Sequence, residues 1–267
     1  MDYLELNRAA WDVRVDQHVD SDFYDVEGWL AGKTSLKGIE LELLGDLTGL
    51  RVLHLMCHFG QDTLSLKRAG AAGVVGLDLS PRAIEEARRL AARAGLEATF
   101  VEGDFYRAPE LIAGPFDVLF MSYGTIGWLP DIARWGEVVA GFLRPGGRFV
   151  FAEFHPALWM LDEEQARVKY RYFGGEPIVE TEGTYTDVAE ERPQQMMSWN
   201  HGLGEVVGAL MARGLSLKHF AEYDYSPYAI FGERGVEMAP GEWGVAGSER
   251  MLPLVYSLVM QKSPPRT

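Results

Sequence analysis

The sequence predicts an α/β fold, a parallel sheet with helices covering both of its faces. Two observations predict it. Between residues 37 and 154, short and continuously apolar runs alternate with longer segments whose apolar residues recur at helical spacing. Strands apolar on both sides belong to sheets buried on both faces. Parallel strands also need a crossover between them, which the helical segments supply.

Each element follows from its own residues. Ile39, Leu43, Leu44 and Leu47 share a helical face that ends at Gly49. Arg51 to Met56 reads as a buried strand, followed by a helix capped by Asp62 or Thr63 and running to about Gly70. Gly73 to Leu79 is the second strand. Ser80 caps the next helix, with Pro81 at its first position, Ala83, Ala87, Leu90, Ala91 and Ala94 on one face, and Gly95 closing it. Ala98 to Glu102 and Asp117 to Ser122 are the third and fourth strands. Asp131 begins a helix whose Ile132, Trp135, Val139, Phe142 and Leu143 share a face, and Pro145-Gly146-Gly147 turns the chain into a fifth strand, Arg148 to Glu153.

The alternation then breaks. Val168 to Phe173, a Gly174-Gly175 turn and Pro177 to Tyr185 predict an inserted antiparallel hairpin. A helix from Gly202 to Arg213 and two strands, Leu215 to Tyr225 and Leu252 to Gln261, complete the pattern. The expected division is therefore an N-terminal segment over 1–36, a main domain over 37–262 containing a β-rich insertion at 157–198, and a frayed Pro-rich tail at 263–267.

Composition narrows the function. With 267 residues, 47% of them hydrophobic, the chain can bury a large core and is neither disordered nor fibrous. The 39 acidic against 25 basic residues give a net charge of −14, which disfavours nucleic acid and anionic membrane as partners. Cys57 is the only cysteine, so neither an intramolecular disulfide nor a multi-cysteine zinc site is expected. Met1-Asp2-Tyr3-Leu4-Glu5 lacks a signal-peptide pattern and no apolar run reaches membrane-span length, so a cytoplasmic location is expected.

Four features fall where successive strands end. Met56 to Asp62 forms a strand–loop–helix turn able to offer backbone N–H groups to a ligand. Asp78 follows Gly60 by eighteen residues and can accept ribose hydroxyls. Gly103-Asp104-Phe105 pairs a carboxylate with a ring. Ser122-Tyr123-Gly124-Thr125-Ile126-Gly127-Trp128 is a glycine-loosened aromatic loop.

At these residues, over roughly 37–262, the chain resembles the class I (Rossmann-like) S-adenosylmethionine-dependent methyltransferases. Val52-Leu53-His54-Leu55-Met56-Cys57-His58-Phe59-Gly60 occupies the place of the family's first motif, and Val75-Gly76-Leu77-Asp78-Leu79-Ser80 is similar to its acidic-loop motif. Glu102-Gly103-Asp104-Phe105, Phe116-Asp117-Val118-Leu119 and Leu143-Arg144-Pro145-Gly146-Gly147 resemble the next three. The resemblance implies a seven-stranded, mostly parallel sheet with an antiparallel last strand, an S-adenosyl-L-methionine cofactor, and direct SN2 methyl transfer to a small-molecule acceptor. It implies cofactor contacts at Met56, Cys57, His58, Gly60, Asp78, Leu79, Gly103, Asp104, Phe105 and Ser122. It also implies a lid over the cofactor from the N-terminal segment, with Trp11, Tyr24 or Lys33 in it. Tyr123, Trp128 and the 157–198 insertion are the expected acceptor pocket. The sequence departs from the family where an acid is replaced by His54 and glycines by Met56 and His58, which leaves open the usual loop path and the contact to the cofactor's amino group.

The same residues admit other readings. Cys57, flanked by strand-end residues, reads as a small buried hydrophobe rather than a nucleophile. His54 and His58 at i, i+4 make no metal site, because that spacing joins ligands on a helix and His54 lies on a strand. Glu153 and His155 alternate with Phe154 and are expected to face the crevice, which makes His155 the candidate proton acceptor and Tyr123 its aromatic partner; His201 is a second candidate. A non-catalytic S-adenosylmethionine or nucleoside binder and an NAD-dependent oxidoreductase are the rival classes, the latter disfavoured by the missing G-x-G-x-x-G.

Overall fold

The computed structural model describes residues 2–162, 167–186 and 192–263. Apart from Ser263, the expected tail lies outside the described residues. Three helices open the chain: α1 (Tyr3–Val19), α2 (Val26–Leu30) and α3 (Gly38–Leu44). The alternating region runs β1 (Arg51–Leu55), α4 (Gln61–Arg68), β2 (Gly73–Asp78), α5 (Pro81–Ala94), β3 (Thr99–Glu102), α6 (Ala108–Leu111), β4 (Phe116–Met121), α7 (Ile132–Phe142) and β5 (Leu143–Phe154). Then come β6 (Ile178–Glu182), β7 (Gln194–Ser198), α8 (Leu203–Ala212), β8 (Leu215–Tyr223), β9 (Gly235–Ala239), β10 (Glu242–Val245) and β11 (Val255–Lys262).

Seven strands form one sheet in the order β3-β2-β1-β4-β5-β11-β8. The pairs from β3 to β5 are parallel, and β11 runs antiparallel to both β5 and β8. Strand alternation sorts the core into two layers. Leu53, Leu55, Leu119, Met121, Phe149 and Phe151 meet α7 and α8 on one face. Val52, Val74, Val118, Phe120 and Val150 meet Leu44 and Leu66 on the other. Trp135 is fully buried against Phe149 and Phe151; each such side chain contributes about 1.5–3 kcal/mol. The start of α5 is as expected: the Ser80 Oγ accepts the Ala83 N–H at 2.9 Å.

Three expectations are corrected. The Gly174-Gly175 turn does not join a hairpin, because β6 pairs antiparallel with β7 instead. The 168–173 run has no sheet face to bury against; Val168 and Phe173 are exposed and Val168 makes only an isolated bridge to Leu161. The Pro145-Gly146-Gly147 turn is a looped-out stretch inside β5, seen as the register jump from Phe116↔Leu143 to Val118↔Arg148. Finally, the β9–β10 hairpin and the length of α1 had no clear sequence signal.

Candidate active site

The parallel strands end together on one side of the sheet, where α1 and the insertion close over them around a cavity of about 560 Å³. Trp11, Met56, Cys57, His58, Gly60, Asp78, Leu79, Gly103, Asp104, Phe105 and Ser122 all line it, as do Tyr24, Tyr123 and Trp128. Lys33 does not; it pairs with Asp25 at 2.6 Å on the surface.

The loop after β1 keeps a glycine-like path without the glycines. Met56, His58 and Gly60 take φ of 60°, 51° and 76°. A left-handed non-glycine residue costs about 1–3 kcal/mol and persists only when its surroundings enforce it. Here the Cys57 N–H donates to the Leu77 carbonyl at 2.8 Å and the His58 N–H to Asp78 Oδ2 at 2.7 Å. Cys57 is buried, its Sγ in the space a side chain on Gly76 would need, and burial pushes its thiol well above the ordinary range.

Asp78 is fixed from both sides, since its Oδ1 accepts the Ser80 N–H at 2.9 Å. Burial pushes its carboxyl up to about 6, partly offset by these backbone donors. Asp104 accepts the Tyr106 N–H at 3.1 Å and so shapes its turn while also lining the cavity. His54, at the family's acidic position, meets Thr63 Oγ1 through Nδ1 at 2.8 Å, and its buried Nε2 has no partner among the described residues. Burial holds it down at about 3, so it is neutral.

Glu153 lines the cavity but is occupied as a hub. Its carboxylate accepts the N–H groups of Gly124, Thr125, Ile126 and Phe154 and the Thr125 hydroxyl. It thereby sets the loop carrying Tyr123 and Trp128. The Trp128 Nε1–H donates to the Gly124 carbonyl at 2.6 Å, and the ring meets Trp11 edge-on at 5.6 Å. Tyr123 packs against Tyr228 and Phe154.

The expectation for His155 is corrected. It is not among the cavity-lining residues: Nε2 meets Glu222 Oε1 at 3.0 Å, and Nδ1 accepts the Ala157 N–H at 3.0 Å. Strand alternation carries two residues to one face only while the strand lasts, and His155 lies just past the end of β5. His201 is likewise engaged elsewhere, with the Leu129 carbonyl at 2.8 Å.

Tyr24, Thr184 and Tyr185 complete the cavity wall, and His18, which the sequence did not single out, backs it without lining it. His18 from α1 bridges His58 Nε2 at 2.9 Å and Thr184 Oγ1 at 2.7 Å, while Tyr24 and Tyr185 share a hydroxyl contact at 2.6 Å. Burial holds His18 at about 2 and His58 at about 3, so both are neutral. The available signal was the helical spacing of Asn7, Arg14 and His18, a polar stripe where an apolar one is usual.

Residues 52–147 match the family described as methyltransferase domain. The demethylmenaquinone methyltransferase of Lactococcus lactis subsp. lactis is 36% identical over 122 residues, covering 44% of this chain and 48% of that protein. That of Thermus thermophilus is 38% identical over 107 residues, covering 40% and 48%. The chain thus spans about half the length of these curated relatives. The solved S-adenosylmethionine dependent methyltransferase of Mesorhizobium loti superposes with a TM-score of 0.57 at 22% identity, over 87% of this chain and 100% of that one, a likeness of fold. Residues 52–147 thus match a methyltransferase domain, and the chain shares the fold of a solved S-adenosylmethionine dependent methyltransferase.

Proposed function

We propose that the protein is an S-adenosyl-L-methionine-dependent methyltransferase acting on a small-molecule acceptor. The observation that carries the reading is the placement of Asp78 and Asp104 at adjacent strand ends, opening into the same aromatic-walled cavity. The residues fit the cofactor. Each Asp78 oxygen takes one backbone N–H and retains a lone pair, which suits a ribose diol. Asp104 and the Phe105 backbone would meet the adenine edge, and the unpartnered His54 Nε2 supplies a polar group beneath the β1 loop.

When bound, the cofactor supplies an already activated methyl group. The chain's task is then to hold two molecules in line and keep water out, an alignment that contributes up to about 7–11 kcal/mol. Trp11, Tyr123 and Trp128 form the aromatic wall for the acceptor, held by the Glu153 hub. A small apolar or aromatic acceptor suits that wall, and the names of the two curated relatives point the same way. The glycine-like φ values of the first loop remove the main reason for a non-catalytic reading.

Net charge supports the exclusion of nucleic acid as acceptor, and among the described residues no helix is long and apolar enough to cross a membrane. Calorimetric titration of S-adenosylhomocysteine and of NADH separates the classes. Micromolar binding of the first and none of the second is expected; NADH binding, or no binding of either, overturns the reading.

A further inference from the structure

Arg14 is a buried cation without a counter-ion among the described residues. It is 5% exposed, lines the cavity, and lies on α1 above the β1 loop. Its Nη2 donates to the Gly183 carbonyl at 2.5 Å, while its buried Nε has no partner among the described residues. No carboxylate of those residues comes within ion-pair distance of it.

The groups whose titration it influences are His18, His58, Tyr24 and Tyr185, all uncharged near neutral pH. The one acid that acts on it, Glu182, is solvent-exposed and acts through screening water. In a chain with 39 acidic residues, leaving a guanidinium dry and unpaired costs several kcal/mol unless something else neutralises it. The Trp11 ring, 5.4 Å from the guanidinium carbon, offsets only a fraction of that.

We propose that Arg14 is a carboxylate-recognition site at the lid edge of the cavity, completed by the anionic end of the molecule bound there. Arg14 lines the cavity with donors unspent, and a planar guanidinium fork matches a carboxylate in two-point geometry. That carboxylate has two sources, the amino-acid end of the cofactor or an acid group on the acceptor. The first source rests on the methyltransferase reading above; the second does not.

The test uses the full chain, wild type and Arg14→Met. S-adenosylhomocysteine and its decarboxylated analogue S-adenosyl-3-thiopropylamine are titrated by calorimetry, and benzoate is added to free and S-adenosylhomocysteine-loaded protein in thermal unfolding. If the cofactor supplies the carboxylate, wild type prefers S-adenosylhomocysteine at least tenfold and Arg14→Met loses that preference. If the acceptor supplies it, the two nucleosides bind alike, and benzoate raises the unfolding midpoint of wild type but not of Arg14→Met.

Equal nucleoside binding with no benzoate shift overturns the proposal. So does an Arg14→Met protein that retains either preference. A wild type that binds no nucleoside overturns the methyltransferase reading alone, and benzoate on free protein still tests Arg14. The free Arg14→Met protein is expected to unfold at the wild-type temperature or above, since a dry charge has been removed; a lower midpoint assigns the guanidinium to folding and overturns the proposal. If Arg14→Met does not fold, Arg14→Lys carries the same comparisons, its charge kept and its fork lost, with a weakened preference expected and an undiminished one overturning the proposal.

Discussion

The Asp78 carboxylate holds the backbone N–H of His58 at 2.7 Å, across twenty residues of sequence. The contact ties the end of β2 to the middle of the β1 loop, where His58 takes a φ of 51°. One carboxylate thus fixes a strained backbone and faces the cavity with its remaining lone pairs.

Asp78→Ala is expected to weaken S-adenosylhomocysteine binding at least tenfold, about 1.4 kcal/mol, by calorimetry. Wild-type affinity should also fall as pH drops through about 6, because ribose hydroxyls favour the ionised carboxylate. In the free protein the sign reverses: a raised carboxyl pKa means stability is lost as pH rises from about 4 through 6. Unchanged affinity in a folded Asp78→Ala protein would remove the residue from the site.

The thiol of Cys57 fills the space beside Gly76, where a Cβ would lie 2.7 Å from its Sγ. Cys57→Ala should cost about 1 kcal/mol of stability and change S-adenosylhomocysteine affinity by no more than a few-fold. In wild type a disulfide reagent should label the thiol only as the protein unfolds. Rapid labelling of native protein, or loss of methyl transfer with cofactor affinity intact, would restore the nucleophile.

Glu153→Gln tests the hub. An amide in place of the carboxylate sets an N–H₂ against backbone N–H groups, so donors face donors at a buried site. The expected cost is about 2–4 kcal/mol in urea unfolding, with weaker acceptor binding as the Tyr123–Trp128 loop loosens. A cost below about 0.5 kcal/mol contradicts the role.

The central sheet was legible because its strands are apolar on both faces and its helices carry their own caps: Ser80, Pro81 and Gly95 stand where α5 starts and ends. The cavity-lining residues at the strand ends were legible because strand ends converge in any such sheet. What escaped depends on tertiary partners. The buried stripe of α1 carries Asn7, Arg14 and His18, which gives no apolar period. Glu153 faces the crevice as expected, but its role as a hub escaped, because alternation reports which face a side chain takes, not how many N–H groups await it there. The partner of β6 lies beyond the 183–193 stretch, whose sequence has no hydrophobic pattern, so the nearer glycine pair looked the better hinge.

The last prediction concerns acid stability. His54 is held at about 3 by burial, against an ordinary value near 6.5. Its folded-state pKa is depressed, so the stability it contributes is present above about 6.5 and lost as pH falls. The unfolded chain binds a proton that the native site refuses, which costs about 1.4 kcal/mol per pH unit below that point, or roughly 2 kcal/mol at pH 5. His18 and His58 add to the same loss. Glu40, pushed up to about 8 by burial, acts oppositely, losing stability as pH rises. His54→Asn keeps a polar group that can meet Thr63 but cannot titrate. Its stability relative to wild type should therefore improve by roughly 2 kcal/mol between pH 7 and pH 5 in urea unfolding. Parallel pH profiles for the two proteins would mean that His54 takes up its proton over the same pH range folded and unfolded, which contradicts the depressed value.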